Sequence, residues 1–331
     1  MRKNNNTDLF ISKKKKRYSV GQGLLSYLNT YDRFVAPPIQ YEDLLRSSNS
    51  FPYINKKGKD TLWESLLFDP SIAEELNQGL TKIYSLLKTG GNTEVMKHLF
   101  VDRIDYCTFG NSNPFRIRIK NQFNDNYDYF YIKRADASRI YGLELEHILS
   151  PNRMNYFVDG ETLIEEHIAG IPGDQFLNDY LDSPTSNKVR IAKEFVKFNE
   201  RCFTRLLGDM RAYNFVIDIT PDFEDEQYRI RAIDFDQQSY EGNYKMYFPQ
   251  FFKENYLFVN QCITYLPETT VKQYQQEERT LIQKRGNLSR HKLKDLLDTM
   301  KKDDSFELSK LRALIKGLNT YHKTTHFSVC K

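Results

Sequence analysis

The sequence predicts an α+β protein with two lobes. The first is a small antiparallel sheet with one helix, the second is mostly helical, and helical extensions lie at both ends. Short runs of alternating apolar and polar residues recur between residues 101 and 168, as expected for strands. A longer helical periodicity follows over Lys188–Leu207. The chain has 331 residues, of which 40% are hydrophobic, so it can bury a sizeable core.

The net charge of the chain is +4, and the excess of positive charge lies at its start. Residues 1–17 include the basic run Lys13–Arg17, whereas the rest of the chain is close to neutral. Such runs are more often solvated than bound to a membrane or a nucleic acid, so we predict a basic disordered tail whose partner is unknown. The near-neutral body indicates no specific nucleic-acid partner.

Several features of the composition argue against a membrane or secreted protein. No apolar run is long enough to span a bilayer, and the first residues lack the apolar segment of a secretory signal. The four cysteines are scattered without metal-like spacing, and Cys107 and Cys202 fall in strand-like and helix-like segments. Reduced, buried thiols of this kind predict a cytoplasmic protein.

Residues 18–100 are predicted to form a helical N-terminal extension. Apolar residues follow a helical spacing at Tyr41–Ser47, Leu62–Leu67 and Ile72–Leu87, between breaks at proline and glycine. The first lobe then covers residues 101–168.

The first lobe begins with two predicted strands, Val101–Thr108 and Phe115–Lys120, joined by a turn that contains Gly110. A further short aromatic strand ends at Lys133. Strands at Met154–Val158 and Thr162–Ile168 complete the lobe.

A helix is predicted between these strands, with its N-cap at Asp136 or Ser138. Glu144 projects into the apolar side of this helix. Because a buried carboxylate needs a cationic partner, we predict an ion pair between Glu144 and Lys133. Glu146, which points nearly opposite, is the alternative carboxylate.

The second lobe covers residues 169–331, including amphipathic C-terminal helices, and its most informative stretch runs from Leu207 to Asp236. Asp209 precedes Asn214 by five positions, and an apolar strand follows at once. After a polar turn, a second strand ends at Asp234. The two strands form a hairpin, which brings Asn214 and Asp234 near one another.

This ordered set of residues resembles the catalytic and metal-binding segments of the protein-kinase-like fold. The closest likeness is to its aminoglycoside and choline phosphotransferase branch, although Leu207 stands where that branch has histidine. The resemblance spans about residues 101–250. It implies a bilobal protein-kinase-like fold that transfers phosphate from ATP, with Mg²⁺, to a hydroxyl-bearing substrate.

The resemblance also implies a role for each matched residue of the second lobe. Asp209 would act on the acceptor hydroxyl, and Arg211 would meet the transferring phosphate. Asn214, Asp234 and Asp236 would bind Mg²⁺, which prefers oxygen ligands. For Asp236 the alternative role is to hold its own loop through hydrogen bonds.

In the first lobe the matched residues would bind the nucleotide. Lys133 would grip the phosphates and Glu144 would hold Lys133. The turn at Gly110 would cover the phosphates with backbone N–H groups. Backbone groups around Glu166 and Ile168 would dock adenine at the hinge between the lobes.

The phosphate acceptor is predicted to be a small molecule, because no long activation segment follows Asp236. One alternative is a protein kinase that acts on Ser or Thr. Another is a catalytically weak pseudokinase that serves as a nucleotide-binding or interaction scaffold. A third is a helical interaction protein in which the acidic motifs are only turn and cap residues.

Overall fold

The computed structural model describes residues 15–55, 58, 60–91, 96–108, 110–223, 225–303 and 306–329. Its strands are β1 (Asn49–Ile54), β2 (Asp60–Leu67), β3 (Leu99–Tyr106), β4 (Phe115–Asn121), β5 (Tyr127–Arg134), β6 (Tyr156–Asp159), β7 (Thr162–Glu166), β8 (Ile171–Pro172), β9 (Phe215–Asp222) and β10 (Asp225–Ala232). Its α-helices are α1 (Gln22–Thr30), α2 (Pro70–Thr89), α3 (Ala137–Leu149), α4 (Gly173–Asp179), α5 (Lys188–Arg205), α6 (Tyr256–Tyr265), α7 (Glu268–Leu288), α8 (Arg290–Lys302) and α9 (Leu308–His322).

The first lobe is built on an antiparallel sheet with the strand order β1-β2-β3-β4-β5-β7-β6. Helix α2 packs on one face of this sheet, where Leu80 and Ile83 meet Ile117 and Phe130 in a common core. Because successive side chains of a strand point to opposite faces, Lys133 on β5 lies on the other face. That face is turned toward the second lobe.

The second lobe contains the small sheet β10-β9-β8 and the helices α4 to α9. Its core joins aromatic side chains of α5, β9 and α6, such as Phe195, Phe215 and Phe258. Helix α3 belongs to the same core, and His147 is its least buried residue. The helix therefore connects the two lobes, and its charged side chains need partners inside the protein.

The structure confirms the predicted α+β class, with an antiparallel sheet in the first part and a mostly helical second part. The hairpin of β9 and β10 and the N-cap at Asp136 are also where the sequence predicts them. Cys107 and Cys202 are buried thiols. No described helix is long and apolar enough to cross a membrane.

Two predictions for the N-terminal region are wrong. The extension at residues 18–100 is not all helical, because the segment Leu62–Leu67 lies in strand β2 and pairs with β1. A short apolar run does not by itself distinguish a strand from a helix, and here strand pairing decides. Residues 15–17 are not a loose tail, since Lys15 forms an ion pair with Asp136. The rest of the predicted tail, residues 1–14, lies outside the described residues.

Candidate active site

The loop after α5 holds Asp209 in a fixed position. Asp209 has a φ of +56°, a left-handed conformation that Asp tolerates better than most residues. The backbone N–H of Gly208 bonds the carbonyl of Gln237 at 3.2 Å, and that of Asp209 bonds the carbonyl of Met246 at 3.3 Å. A non-glycine residue held in this region is a feature that clusters at functional sites.

The register of the β9–β10 hairpin places Asp234 beside this loop. Phe215 pairs with Ala232, and the N–H of Ile233 then bonds the carbonyl of Asn214 at 3.1 Å. The Asn214 side chain donates from Nδ2 to the backbone oxygen of Asp209 at 2.7 Å. Since this bond uses the nitrogen of the amide, the Oδ1 atom is the end that can meet a ligand. The hairpin therefore brings Asp209, Asn214 and Asp234 together, as the sequence predicts.

The side chain of Asp209 is mostly buried, with 17% of it exposed. Burial raises the pKa of Asp209 to about 7, although the hydrogen bond from Arg211 opposes the rise. The nearby charges of Asp234 and Glu254 add to it. This carboxyl group therefore takes up a proton more readily near neutral pH than an exposed aspartate does.

Arg211, which the sequence places at the transferring phosphate, is engaged by two carboxylates. Its Nε donates to Asp209 at 2.9 Å, and its Nη1 donates to Glu254 at 2.6 Å. The guanidinium also lies 5.2 Å from the ring centre of Phe252. In this arrangement Arg211 orients Asp209.

The partner of Lys133 is Glu165 and not Glu144. The Nζ atom of Lys133 lies 2.6 Å from Oε2 of Glu165. Tyr131 of β5 pairs with Glu165 of β7, so the two charged residues are diagonal neighbours on one face of the sheet. Burial and the nearby charge of Arg139 lower the pKa of Lys133.

Glu144 is buried, as predicted, but its cations come from distant parts of the chain. Arg33 lies 3.1 Å and Lys292 2.9 Å from its carboxylate oxygens. The hydroxyl of Tyr27 also donates to it at 2.7 Å. The alternative residue, Glu146, contacts Arg205 and not Lys133. Both carboxylates therefore connect α3 to other elements and lie outside the candidate nucleotide site.

The residue that the sequence reasoning missed is Arg139 on α3. Its side chain is only 2% exposed. Its Nη1 donates to Asp234 at 2.9 Å and to Asp236 at 2.8 Å, and its Nη2 donates to Glu165 at 2.8 Å. Helix α3 is buried on nearly all sides, so every charge on it needs a partner. That rule, applied to Arg139 as well as to the glutamates, could have found it.

The predicted metal ligands Asp236 and Asp234 differ in how much of each side chain is exposed to solvent. Asp236 is buried and its carboxylate is bonded to Arg139, which agrees with the alternative loop-holding role and not with metal binding. Asp234 keeps a third of its side chain exposed. Its contacts with Arg139 and with the N–H of Asp236 both use Oδ1.

No group of three or more His, Cys, Asp or Glu side chains among the described residues is arranged to hold a metal ion. A magnesium ion that keeps several waters needs only one or two protein ligands besides the phosphates. The second oxygen of Asp234 and the amide oxygen of Asn214 are of the right type. These residues therefore fit a nucleotide-bound Mg²⁺.

The remaining predicted nucleotide residues lie at the edges of the first lobe. Gly110 is in the turn between β3 and β4, where an added Cβ would lie 3.0 Å from Cδ of Pro114. Glu166 ends β7, and its N–H bonds the carbonyl of Asn155 at 3.0 Å. Ile168 lies in the connection to β8 and packs in the larger core.

Comparison with known proteins gives little further guidance. No protein-family model matches the chain, and no curated protein matches it either. Among solved structures, the ADP/Mg²⁺-phosphoaspartate complex of the Rio2 kinase from Chaetomium thermophilum is similar at a TM-score of 0.34 and 12% sequence identity. The match covers 77% of this chain and 81% of that one. A likeness this distant says nothing about activity, which has to be inferred from the residues of this chain.

Proposed function

We propose that this chain is an ATP- and Mg²⁺-dependent phosphotransferase of the protein-kinase-like fold, most similar to its aminoglycoside and choline kinase branch. The observation that carries the proposal is the convergence of Asp209, Asn214 and Asp234 at one place between the lobes. Lys133 is linked to this place through Glu165 and Arg139. Residues far apart in the sequence thus form one continuous polar site.

Each residue has a role that its contacts support. Asp209, oriented by Arg211, accepts the proton of the acceptor hydroxyl, for which a pKa near neutrality is well suited. The oxygens of Asn214 and Asp234 hold the metal. When bound, Mg²⁺ neutralises charge on the phosphates of ATP. Lys133 binds phosphate oxygens while Glu165 holds its side chain in place.

A small-molecule acceptor agrees with the segment that follows Asp236. This segment consists of short 3₁₀ turns, and Met246, Tyr247, Phe248 and Phe252 are buried in it. A buried, tightly turned segment offers no extended platform for a peptide. The alternative acceptor is a Ser or Thr hydroxyl of a protein. The buried thiols Cys107 and Cys202 agree with a cytoplasmic setting.

One observation favours a non-catalytic alternative. The guanidinium of Arg139 bonds both Asp234 and Asp236, so a cation of the protein itself already pairs with these carboxylates. A pseudokinase would bind nucleotide without transferring phosphate. Turnover is therefore the property that separates the two functions.

The test combines a binding assay with a turnover assay. Thermal stability is measured with and without millimolar ATP·Mg²⁺, because a ligand of the native state raises stability by mass action. The wild type is expected to shift upward, Asp234→Ala to lose the shift, and Asp209→Asn to keep it. Release of ADP is expected from the wild type, and Asp209→Asn should slow it by about a hundredfold or more.

The exposed Asp298, changed to Asn, is the matched control. No shift in the wild type would contradict the proposed function. A shift without ADP release across a panel of hydroxyl compounds, such as amino alcohols, sugars and Ser or Thr peptides, would favour the pseudokinase.

A further inference from the structure

A narrow cleft of about 10 Å³, with room for a single water molecule, lies next to the candidate active site, and the N-terminal segment of the chain forms one of its walls. Lys15 and Arg17 line this side of the cleft. Arg134, at the end of β5, also lines it, together with Asn111 and Ser112 of the turn between β3 and β4. Asp136 and Asp236 complete the lining. The cleft thus lies between the predicted phosphate-covering turn and the segment that contains Asp234.

The N-terminal segment is fixed to the start of α3. The N–H of Ala137 donates to the carbonyl of Tyr18 at 2.9 Å. The ammonium group of Lys15 lies 3.1 Å from each carboxylate oxygen of Asp136, the N-cap residue of α3. The side chain of Lys15 is only 2% exposed. These contacts hold the backbone at residues 15–18, so Arg17 is presented at a defined place.

Three cations, Lys15, Arg17 and Arg134, and two carboxylates, Asp136 and Asp236, line the cleft. Asp136 is paired with Lys15, whereas Asp236 shares Arg139 with Asp234 and Glu165. Arg17 and Arg134 remain at the mouth, and their side chains are 40% and 36% exposed.

The carboxylate partners of these two arginines compete only weakly with an anion. Arg17 pairs with Glu161 and Arg134 with Glu42, and both glutamates are more than half exposed. Exposed ion pairs of this kind contribute little to stability. A phosphate group offers stronger, charge-assisted hydrogen bonds to a guanidinium. Both arginines are therefore available to an incoming phosphate.

We propose that a phosphate group binds at the mouth of this cleft, with Arg17 and Arg134 as the direct ligands and Lys15 as the residue that positions the N-terminal segment. That the phosphate belongs to a nucleoside triphosphate rests on the proposed function. Asp236 lines the cleft, and Arg139 bonds both Asp236 and Asp234, so the cleft adjoins the candidate metal position. A part of the chain distant from the catalytic segments thereby completes the nucleotide site.

The test uses the full-length chain and two probes, inorganic tripolyphosphate and ATP·Mg²⁺, with affinities measured by isothermal titration calorimetry. Arg17→Gln and Arg134→Gln are each expected to weaken binding of both probes by about tenfold, the effect of losing one charge-assisted hydrogen bond. The control is Lys16→Gln. Lys16 lies in the same segment and is exposed, but it does not line the cleft. The Lys16→Gln variant should bind both probes with the affinity of the wild type.

Circular dichroism and the melting temperature without ligand verify that each variant is folded. Unchanged affinities in Arg17→Gln and Arg134→Gln would overturn the inference, as would an equal loss in Lys16→Gln. Tighter binding in Arg17→Gln would also overturn it, because the segment would then obstruct the site.

The two proposals fail in different ways. If both arginine variants lose tripolyphosphate affinity while ATP·Mg²⁺ does not bind the wild type, the phosphate cleft stands and the proposed function falls. If ATP·Mg²⁺ binds and depends on Asp234 but not on Arg17 or Arg134, the proposed function stands and the phosphate cleft falls.

Discussion

Arg139 donates a hydrogen bond from Nη1 to Oδ1 of Asp234, at 2.9 Å. The same guanidinium bonds Asp236 and Glu165, and its side chain is almost fully buried. Both contacts of Asp234 with its neighbours use Oδ1, so its other oxygen is left for a ligand. One internal cation therefore holds three carboxylates together and connects the sheet, α3 and the segment after β10.

The first prediction concerns the stability that Arg139 provides. In Arg139→Gln the buried carboxylates of Glu165 and Asp236 and the partly exposed Asp234 lose their shared cation, and removing one partner of a buried ion pair costs about 3–5 kcal/mol. We expect a loss of unfolding free energy in this range, measured by urea denaturation at pH 7. Arg46→Gln is the control, because the ion pair of Arg46 with Glu75 is exposed and should contribute little. Equal, small effects in the two variants would contradict the proposed role of Arg139.

The second prediction separates the two glutamates that compete for the role of lysine partner. Glu165→Gln should weaken ATP·Mg²⁺ binding, because Lys133 loses the carboxylate that holds it at 2.6 Å. Glu144→Gln should lower the unfolding free energy and leave nucleotide affinity unchanged, since Glu144 contacts Arg33 and Lys292 instead. Calorimetric titration and urea denaturation of both variants provide the comparison. A loss of ATP affinity in Glu144→Gln alone would show that Glu165 is not the functional partner of Lys133.

Local signals in the sequence were sufficient to predict the secondary-structure elements that carry the candidate site. The alternation along β9 and β10, with a polar turn between them, predicts the hairpin, and the hairpin register then places Asn214 beside Asp234. Residue type limits the N-cap of α3 to Asp136 or Ser138, and the structure selects Asp136, whose side chain accepts the N–H of Ser138 at 2.9 Å.

Partners across the fold were not predictable in the same way. The sequence shows that Glu144 is a carboxylate on an apolar helix face, and it is indeed buried. Its cations, Arg33 and Lys292, reach it only after α1 and α8 have packed against α3. Likewise, Lys133 meets Glu165 because β5 pairs with β7 in one particular register. Choosing between carboxylates requires the strand order, which local periodicity does not contain.

The third prediction is a pH dependence of stability caused by His147. Burial lowers the pKa of His147 to about 4, and the charges of Arg33 and Lys292 add to this effect, whereas Glu144 opposes it. Arg33 donates to Nδ1 of the ring at 2.9 Å, so the neutral ring accepts this bond. Because the folded pKa lies below the ordinary value of 6.5, the unfolded chain takes up the proton first as the pH falls.

The contribution of His147 to the unfolding free energy is therefore complete above pH 6.5 and decreases as the pH falls toward about 4. Urea denaturation at several pH values in this window should show a smaller decrease for His147→Gln than for the wild type. His291→Gln, at an exposed position, is the control and should follow the wild type. Parallel curves for all three proteins would rule out this contribution.

The fourth prediction concerns the close approach of α3 to the segment that holds Asp234 and Asp236. At Gly142 an added Cβ would lie 3.1 Å from Cβ of Phe235 and 3.2 Å from Cβ of Gln238. Both atoms are attached directly to the backbone, so they cannot rotate away. Alanine in place of glycine contributes about 0.5–1 kcal/mol to the unfolding free energy of a helical protein. In Gly142→Ala we expect crowding to lower the unfolding free energy by more than this gain.

The matched control for this crowding is Gly286→Ala on α7. There the new Cβ would meet only the ends of two leucine side chains, each at 3.4 Å, which is ordinary contact. Gly286→Ala should raise the unfolding free energy by up to about 1 kcal/mol through helix propensity, whereas Gly142→Ala should lower it. Because Phe235 stands between Asp234 and Asp236, the crowding in Gly142→Ala should also displace both carboxylates and weaken the thermal shift with ATP·Mg²⁺. A stabilised Gly142→Ala with an unchanged shift would mean that α3 does not fix the position of Asp234, the proposed metal ligand.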